Sequence, residues 1–142
     1  ELSKHKNIVA AKEANGDISA LAQTVKLCGD ELTIYSGNDD QITAFMSLGA
    51  KGVISVLSNI APRAVHDMVK MYLDGDTAAS TELQLKYLDL CSSLFSDVNP
   101  IPVKEAMNMM GMEVGSCRLP LAQIQPQAKE KLRRSLSAFG MI

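Results

Sequence analysis

The feature that most constrains this fold is the alternation of short apolar runs with amphipathic stretches in the first half of the chain. The apolar runs cover residues 7–12, 32–36 and 52–56, and each predicts a strand. An amphipathic stretch follows each run, and turn or cap residues mark where the predicted helices begin or end: Asp17, Gly29, Asp39 or Asp40, Gly49, Pro62 and Gly75. Strands that alternate with helices form a parallel βα arrangement, and continuously apolar strands are expected to be covered on both faces.

The pattern changes to helices alone in the second half. Residues 77–96 predict one long helix, residues 99–102 interrupt it, and further helices are predicted at 103–110 and 126–139. We therefore divide the chain into a βα part, residues 1–75, and a helical part, residues 76–142. Three parallel strands cannot close a barrel, and a complete eight-stranded barrel takes about 250 residues. The βα part is then either a small open α/β sheet or the last part of a barrel whose first strands are absent.

Composition excludes several function classes. The net charge of −2 gives no reason to expect nucleic acid or an anionic membrane as a partner, and no apolar run is long enough to span a membrane. Three widely spaced cysteines without a CxxC pair favour a reducing compartment, so we expect a cytoplasmic protein. The two histidines are isolated from each other and from any cysteine, so we expect no metal site. Because the first residue is Glu1 and nothing resembles a signal peptide, we expect the chain to begin inside a longer protein.

Lys12 is the first candidate catalytic residue, because it ends the first apolar run. Functional sites of parallel α/β folds form at the carboxyl ends of strands. A lysine that is desolvated there has a lowered pKa and offers a free amine to a carbonyl carbon. The alternative is a lysine whose stem packs on the strand while its ammonium group reaches water.

The second candidate segment follows the second strand and contains Gly37, Asn38, Asp39 and Asp40. A glycine directly after a strand allows a ligand to approach the backbone closely. The carboxylates either face a substrate or cap the helix that follows, and capping is favoured for at least one of them. The third strand contains Ile54, which by itself indicates only a buried strand.

Four motifs in a fixed order resemble the dihydrodipicolinate synthase family, which belongs to the pyruvate-dependent class I aldolases. They are KEANG after the first strand, YSGNDD after the second, GAKGVISVLSN across the third, and NPIPVKEAM in the helical part. The resemblance continues through RLP at residues 118–120 and covers nearly the whole chain. N-acetylneuraminate lyases resemble it less, because they usually carry KFT where this chain has Lys12, Glu13 and Ala14.

The resemblance implies the C-terminal part of a (β/α)8 TIM barrel, strands six to eight with their helices, plus a C-terminal helical extension. Lys12 matches the lysine that forms a Schiff base with pyruvate. Gly37 matches an active-site glycine, and Ile54 matches a residue whose backbone carbonyl lies near pyruvate. Asn38 and Asp39 match positions near the second substrate. Ala11 and Asn15 depart mildly from the family pattern, and neither departure removes a catalytic group.

The implied activity is a lyase-type condensation of pyruvate with aspartate semialdehyde, in lysine and diaminopimelate biosynthesis. No cofactor is implied, because the imine with Lys12 takes that role. The family's proton-relay tyrosine, aldehyde-binding arginine and lysine-feedback site belong to the first half of the barrel, so the implied partner is that N-terminal half. A homotetramer is also implied. Two alternatives stay open: a sibling aldolase, such as an N-acetylneuraminate lyase or a keto-sugar-acid aldolase, and a non-catalytic half-barrel.

Overall fold

The computed structural model describes all residues, 1–142, and contains a small parallel sheet and seven α-helices. In chain order the elements are β1 (Ala10–Glu13), α1 (Ile18–Cys28), β2 (Thr33–Ser36), α2 (Ile42–Ser47), α3 (Pro62–Leu73), α4 (Thr77–Lys86), α5 (Leu88–Leu94), α6 (Ile101–Met109) and α7 (Pro126–Ala138). Short 3-10 turns lie at Leu2–Lys4, Gly29–Glu31, Asp39–Gln41 and Leu57–Asn59. The expected α/β arrangement is therefore present.

The local signals for helix ends are confirmed at several of the predicted positions, including Gly29, which is the C-cap residue of α1. The Asp17 carboxylate accepts hydrogen bonds from the N–H groups of Ser19 and Ala20, and so satisfies two donors of the first turn of α1. Pro62 occupies the first turn of α3, where its missing N–H costs no hydrogen bond.

The sheet has two strands and one bridge. β1 and β2 are parallel, with Lys12 opposite Tyr35 and Glu13 opposite Ser36. The predicted third strand at 52–56 is wrong in extent: only Val53 pairs, through an isolated parallel bridge to Ser36. The segment has β2 as its single neighbouring strand in this chain, and it leads into the 3-10 turn at Leu57–Asn59. A longer ladder of strand hydrogen bonds therefore does not form.

Two further expectations are corrected by the structure. The predicted helix at 77–96 is divided at Tyr87, whose ring packs against Phe139 with centroids 4.6 Å apart. Beyond the division, α5 packs on α6 and α7. The strands are also not covered on both faces within this chain, because Val9 is 70% exposed and Ile54 is 49% exposed.

Most of the apolar core lies between the helices. A small cluster, Leu21, Ile34, Phe45 and Ala50, joins β2 to α1 and α2. The larger cluster contains 15 buried residues: Ile42, Met46, Leu57, Ile60, Ala61, Ala64, Val65, Met68, Leu90, Cys91, Leu94, Val103, Ala106, Leu132 and Leu136. This cluster takes side chains from both sides of residue 75, so the βα part and the helical part share one core.

Candidate active site

Three of the predicted site residues meet at the carboxyl ends of the strands. Lys12 lies in β1, Gly37 directly follows β2, and Ile54 directly follows the bridging residue Val53. The Gly37 N–H donates to the Glu13 carbonyl at 2.7 Å, and the Ile54 N–H donates to the Ser36 carbonyl at 2.8 Å. These bonds place Gly37 and Ile54 side by side, whereas Lys12 pairs with Tyr35 two residues earlier and only its side chain extends toward Gly37.

Gly37 is a glycine because there is no room for a side chain. A Cβ atom added there would lie 2.5 Å from the Ala14 Cβ, 2.9 Å from the Lys12 Cε and 3.1 Å from the Glu13 carbonyl oxygen. The backbone of Gly37 is outside the left-handed region, so space and not backbone strain excludes a larger residue. The close approach means that Gly37 supports the Lys12 side chain directly.

The Lys12 amine is free of partners. Its side chain forms no ion pair among the four salt bridges of the chain and donates no hydrogen bond. The expected burial of Lys12 is not found in this chain, because the residue is exposed at the open edge of the sheet. The amine is therefore accessible, and any shielding from water has to come from groups outside these 142 residues.

Ile54 presents a backbone acceptor. Its carbonyl accepts no hydrogen bond within the chain, although its N–H is bonded to Ser36. An unpaired carbonyl at the carboxyl end of this segment is available to a ligand. The half-exposed Ile54 side chain does not bury this segment, so hydrogen bonds on either side of it define its position.

Asp39 is buried, with 1% of its surface exposed. One carboxylate oxygen, Oδ2, accepts hydrogen bonds from the N–H groups of Val56 and Leu57 at 2.9 Å each, while Oδ1 has no partner. Asp39 thus caps the 3-10 turn at Leu57–Asn59 instead of the helix that follows it in sequence. Its predicted contact with a substrate has no geometric support in this chain.

Asn38 is half-buried and its backbone is held locally. Its N–H donates to the Ser36 hydroxyl at 3.1 Å, and the hydroxyl donates to the Asn38 carbonyl at 2.9 Å. Its side-chain amide donates to Gln41 at 3.3 Å, and Gln41 in turn donates to the Gly16 carbonyl at 3.2 Å. The loops after β1 and β2 are therefore tied together beside Lys12.

A cleft of about 470 Å³ lies between these two loops and α5. It is lined by Ala14, Asn15, Gly16, Asn38, Asp40, Gln41, Leu88, Cys91, Ser92 and Phe95. The loop residues follow strands, where sequence reasoning looks for a site, whereas nothing in the sequence around Leu88 or Phe95 predicts a role there. Burial, and then the carboxylates of Asp39 and Asp40, raise the pKa of the Cys91 thiol to about 12, so this thiol is neutral at pH 7.

Residues 1–139 match the family model of the dihydrodipicolinate synthetase family. The chain belongs to this family. A dihydrodipicolinate synthetase family member named 4-hydroxy-tetrahydrodipicolinate synthase from Clostridium perfringens (strain SM101 / Type A) is 49% identical over 142 residues, which are 100% of this chain and 49% of that protein. The synthase of the same name from Caldicellulosiruptor saccharolyticus is 52% identical over 141 residues, covering 99% of this chain and 48% of the relative. The chain thus spans about half the length of the curated relatives it matches.

Solved structures of the dihydrodipicolinate synthetase family have the same fold over this region. The dihydrodipicolinate synthase from Thermotoga maritima aligns with a TM-score of 0.94 and 38% identity, covering 99% of this chain and 49% of that one. The chloride-inhibited enzyme from Acinetobacter baumannii, solved with pyruvate, aligns with a TM-score of 0.93 and 36% identity, covering 99% and 48%. These relatives are TIM-barrel proteins, which confirms the expected fold class in its broad form. No helix of this family member has the length and apolar character to cross a membrane.

Proposed function

We propose that this chain supplies the Schiff-base half of a 4-hydroxy-tetrahydrodipicolinate synthase. In this proposal, residues 1–75 are strands six to eight of a (β/α)8 barrel with their helices, and residues 76–142 are its C-terminal helical extension. The observation that carries the proposal is the contact between Gly37 and Lys12 at the carboxyl ends of adjacent strands. Barrel enzymes place their reacting groups at this end.

The proposed reaction begins when the Lys12 amine attacks the ketone of pyruvate and water leaves, which forms an imine. The imine withdraws electrons, so a methyl proton leaves and an enamine results. The enamine carbon forms a bond to the aldehyde carbon of aspartate semialdehyde. The amino group of that substrate then displaces Lys12 and closes the ring, which frees the lysine for another cycle. No cofactor is needed, because the imine itself acts as the electron sink.

The chain's own backbone has two roles in this scheme. The unpaired Ile54 carbonyl faces bound pyruvate, and Gly37 leaves the space in which the Lys12 stem and the substrate fit. Asn38 lies near the second substrate. Proton transfer requires a positioned acid or base, and no side chain of this chain forms a hydrogen bond or an ion pair with the Lys12 amine. The N-terminal half of the barrel is proposed to supply it.

The N-terminal half is also the proposed structural partner. The edge of β1 offers unpaired backbone groups, and Val9 beside it is largely exposed, so further strands of a barrel would complete the hydrogen bonding and cover the apolar face. A homotetramer in the cytoplasm is proposed for the complete protein, with Ile18, Ser19 and Leu48 at subunit contacts. One solved relative, 36% identical, is described as a monomeric variant of dihydrodipicolinate synthase.

The test is a comparison of substrates with the protein that carries both halves. We expect turnover of pyruvate with aspartate semialdehyde, and no cleavage of N-acetylneuraminate or keto-sugar acids. Preferential cleavage of a sugar acid would assign the chain to a sibling aldolase. A folded protein that turns over none of these compounds would favour the non-catalytic half-barrel. Lys12→Arg is the matched control, because it keeps the charge and removes the amine that forms an imine.

A further inference from the structure

A buried polar connection joins the helical part of the chain to the loop that follows Gly37. Gln84 in α4 is 3% exposed, and its side-chain amide donates to the Asp39 carbonyl at 2.7 Å. The Gln84 carbonyl oxygen accepts from the N–H of Thr43 at 3.3 Å. Both ends of this glutamine therefore hold the backbone on either side of the 3-10 turn at Asp39–Gln41. Buried polar groups without such partners are costly, so each bond constrains the loop.

The connection continues from Asp39 to the segment that carries Ile54. The Asp39 carboxylate holds the N–H groups of Val56 and Leu57, two and three residues after Ile54. On the other side, the Ser36 N–H donates to the Gly52 carbonyl at 2.9 Å, and the Ser36 carbonyl accepts from the Ile54 N–H at 2.8 Å. The Ile54 carbonyl is thus fixed between two hydrogen-bonded anchors, while its half-exposed side chain contributes little burial.

We propose that Asp39 and Gln84 are positioning residues, which hold the Ile54 carbonyl in place relative to the Lys12 amine through the buried bonds from α4. This inference rests on the proposed function, because it assigns the two residues a role in the geometry of that site. The helical part of the chain then contributes to catalysis by positioning the site and not by contacting substrate. Asp39 acts through the backbone of Val56 and Leu57 and does not itself touch substrate.

The hydrogen bonds of Asp39 and Gln84 indicate variants that distinguish positioning from an effect of negative charge. Because only Oδ2 of Asp39 accepts hydrogen bonds, Asp39→Asn can keep both of them with its amide oxygen, whereas Asp39→Ala loses both. A residue that works by its negative charge would fail in both variants. A positioning residue fails only as alanine. Gln84→Met keeps the length of the side chain and removes both of its bonds.

The experiment uses the protein that carries both halves and measures imine formation with pyruvate by borohydride reduction, together with kcat and KM. We expect Asp39→Ala to slow imine formation roughly 10- to 100-fold, since a displacement of about 1 Å in a reacting pair costs about 100-fold. We expect Asp39→Asn to restore most of that rate. Gln84→Met should lower kcat more than it raises KM for aspartate semialdehyde, because the carbonyl it positions faces pyruvate.

The control is Asp76→Ala, which removes the carboxylate that accepts from the N–H of Ala79 at the start of α4 and makes no bond to Asp39, Gln84 or the segment with Ile54. It should lower the melting temperature without changing imine formation. If Asp39→Asn is as slow as Asp39→Ala, or if folded Gln84→Met keeps the parent rate, the positioning proposal is overturned. If the parent itself forms no imine on Lys12, the proposed function fails, and the two failures are therefore distinguishable. Should Asp39→Ala not fold, the Asn and Met variants still decide.

Discussion

Replacing Gly37 by alanine tests the geometry of the site at its tightest point. The added Cβ would lie 2.5 Å from the Ala14 Cβ and 2.9 Å from the Lys12 Cε. Carbon atoms in contact are normally about 3.5–4.0 Å apart, so the backbones of the two loops have to separate by about 1 Å. Forcing a methyl group into such a space costs about 1–3 kcal/mol of stability.

The same displacement should reach the Lys12 amine. We expect Gly37→Ala in the protein with both halves to lower its melting temperature and to slow pyruvate imine formation about 100-fold. The two quantities are measured by thermal unfolding and by borohydride trapping.

Ala14→Gly provides the internal control, because it removes the atom that lies nearest to the new methyl group. In the Gly37→Ala, Ala14→Gly double variant, the close contact that remains is to the flexible Lys12 stem. The free energy of unfolding should therefore exceed the sum expected from the two single variants by about 1–2 kcal/mol, which is their coupling energy. The imine rate should recover only in part, since the stem still has to move. A Gly37→Ala variant as stable and as fast as the parent, or a double variant with no coupling, would refute the close-packing argument.

Three further predictions concern parts of the chain away from Lys12. Cys91 is 2% exposed, and burial raises the pKa of its thiol to about 12. Iodoacetamide at pH 8 should therefore modify the half-buried Cys28 and Cys117 and leave Cys91 unmodified. Rapid labelling of Cys91 in the native protein would contradict its burial. The N–H groups of Gln125 and Val98 hold the pKa of Asp97 below its usual range, so the ionised carboxylate stabilises the fold above about pH 4 and this effect is lost as the pH falls further. Asp97→Asn should make the free energy of unfolding depend less on pH in that acidic range. An unchanged pH dependence would contradict this role of Asp97. Asp17→Ala should cost about 1 kcal/mol in denaturant unfolding through loss of the α1 cap, and no loss would show that the cap contributes nothing.

The positions of the helices followed from local rules. Apolar periodicity, the Asp17 cap and Pro62 at a helix start each act within a few residues, so a single sequence carries that information. The break at Tyr87 was not predictable in this way. Tyr87 contacts Phe139, which is distant in the sequence, and residues 77–96 alone predict one continuous helix.

The placement of Lys12 near Gly37 was predictable, because one rule about strand ends applies to both. That rule brought Lys12 and Gly37 together, and the structure places them in contact. The role of Asp39 was missed because its partners, Val56 and Leu57, are 17 and 18 residues away, and the bond from Gln84 spans 45 residues. Long-range hydrogen bonds leave no periodic signal in a sequence, and a run of polar residues in a loop does not reveal which of them becomes buried.

Borohydride reduction tests whether Lys12 forms a covalent imine with pyruvate. The protein with both halves is incubated with pyruvate and borohydride, digested, and mapped by mass spectrometry. We predict one pyruvate-derived adduct, located on Lys12 and absent from a Lys12→Arg variant. An adduct on any other lysine, or none in a folded protein that has both halves, would contradict the account.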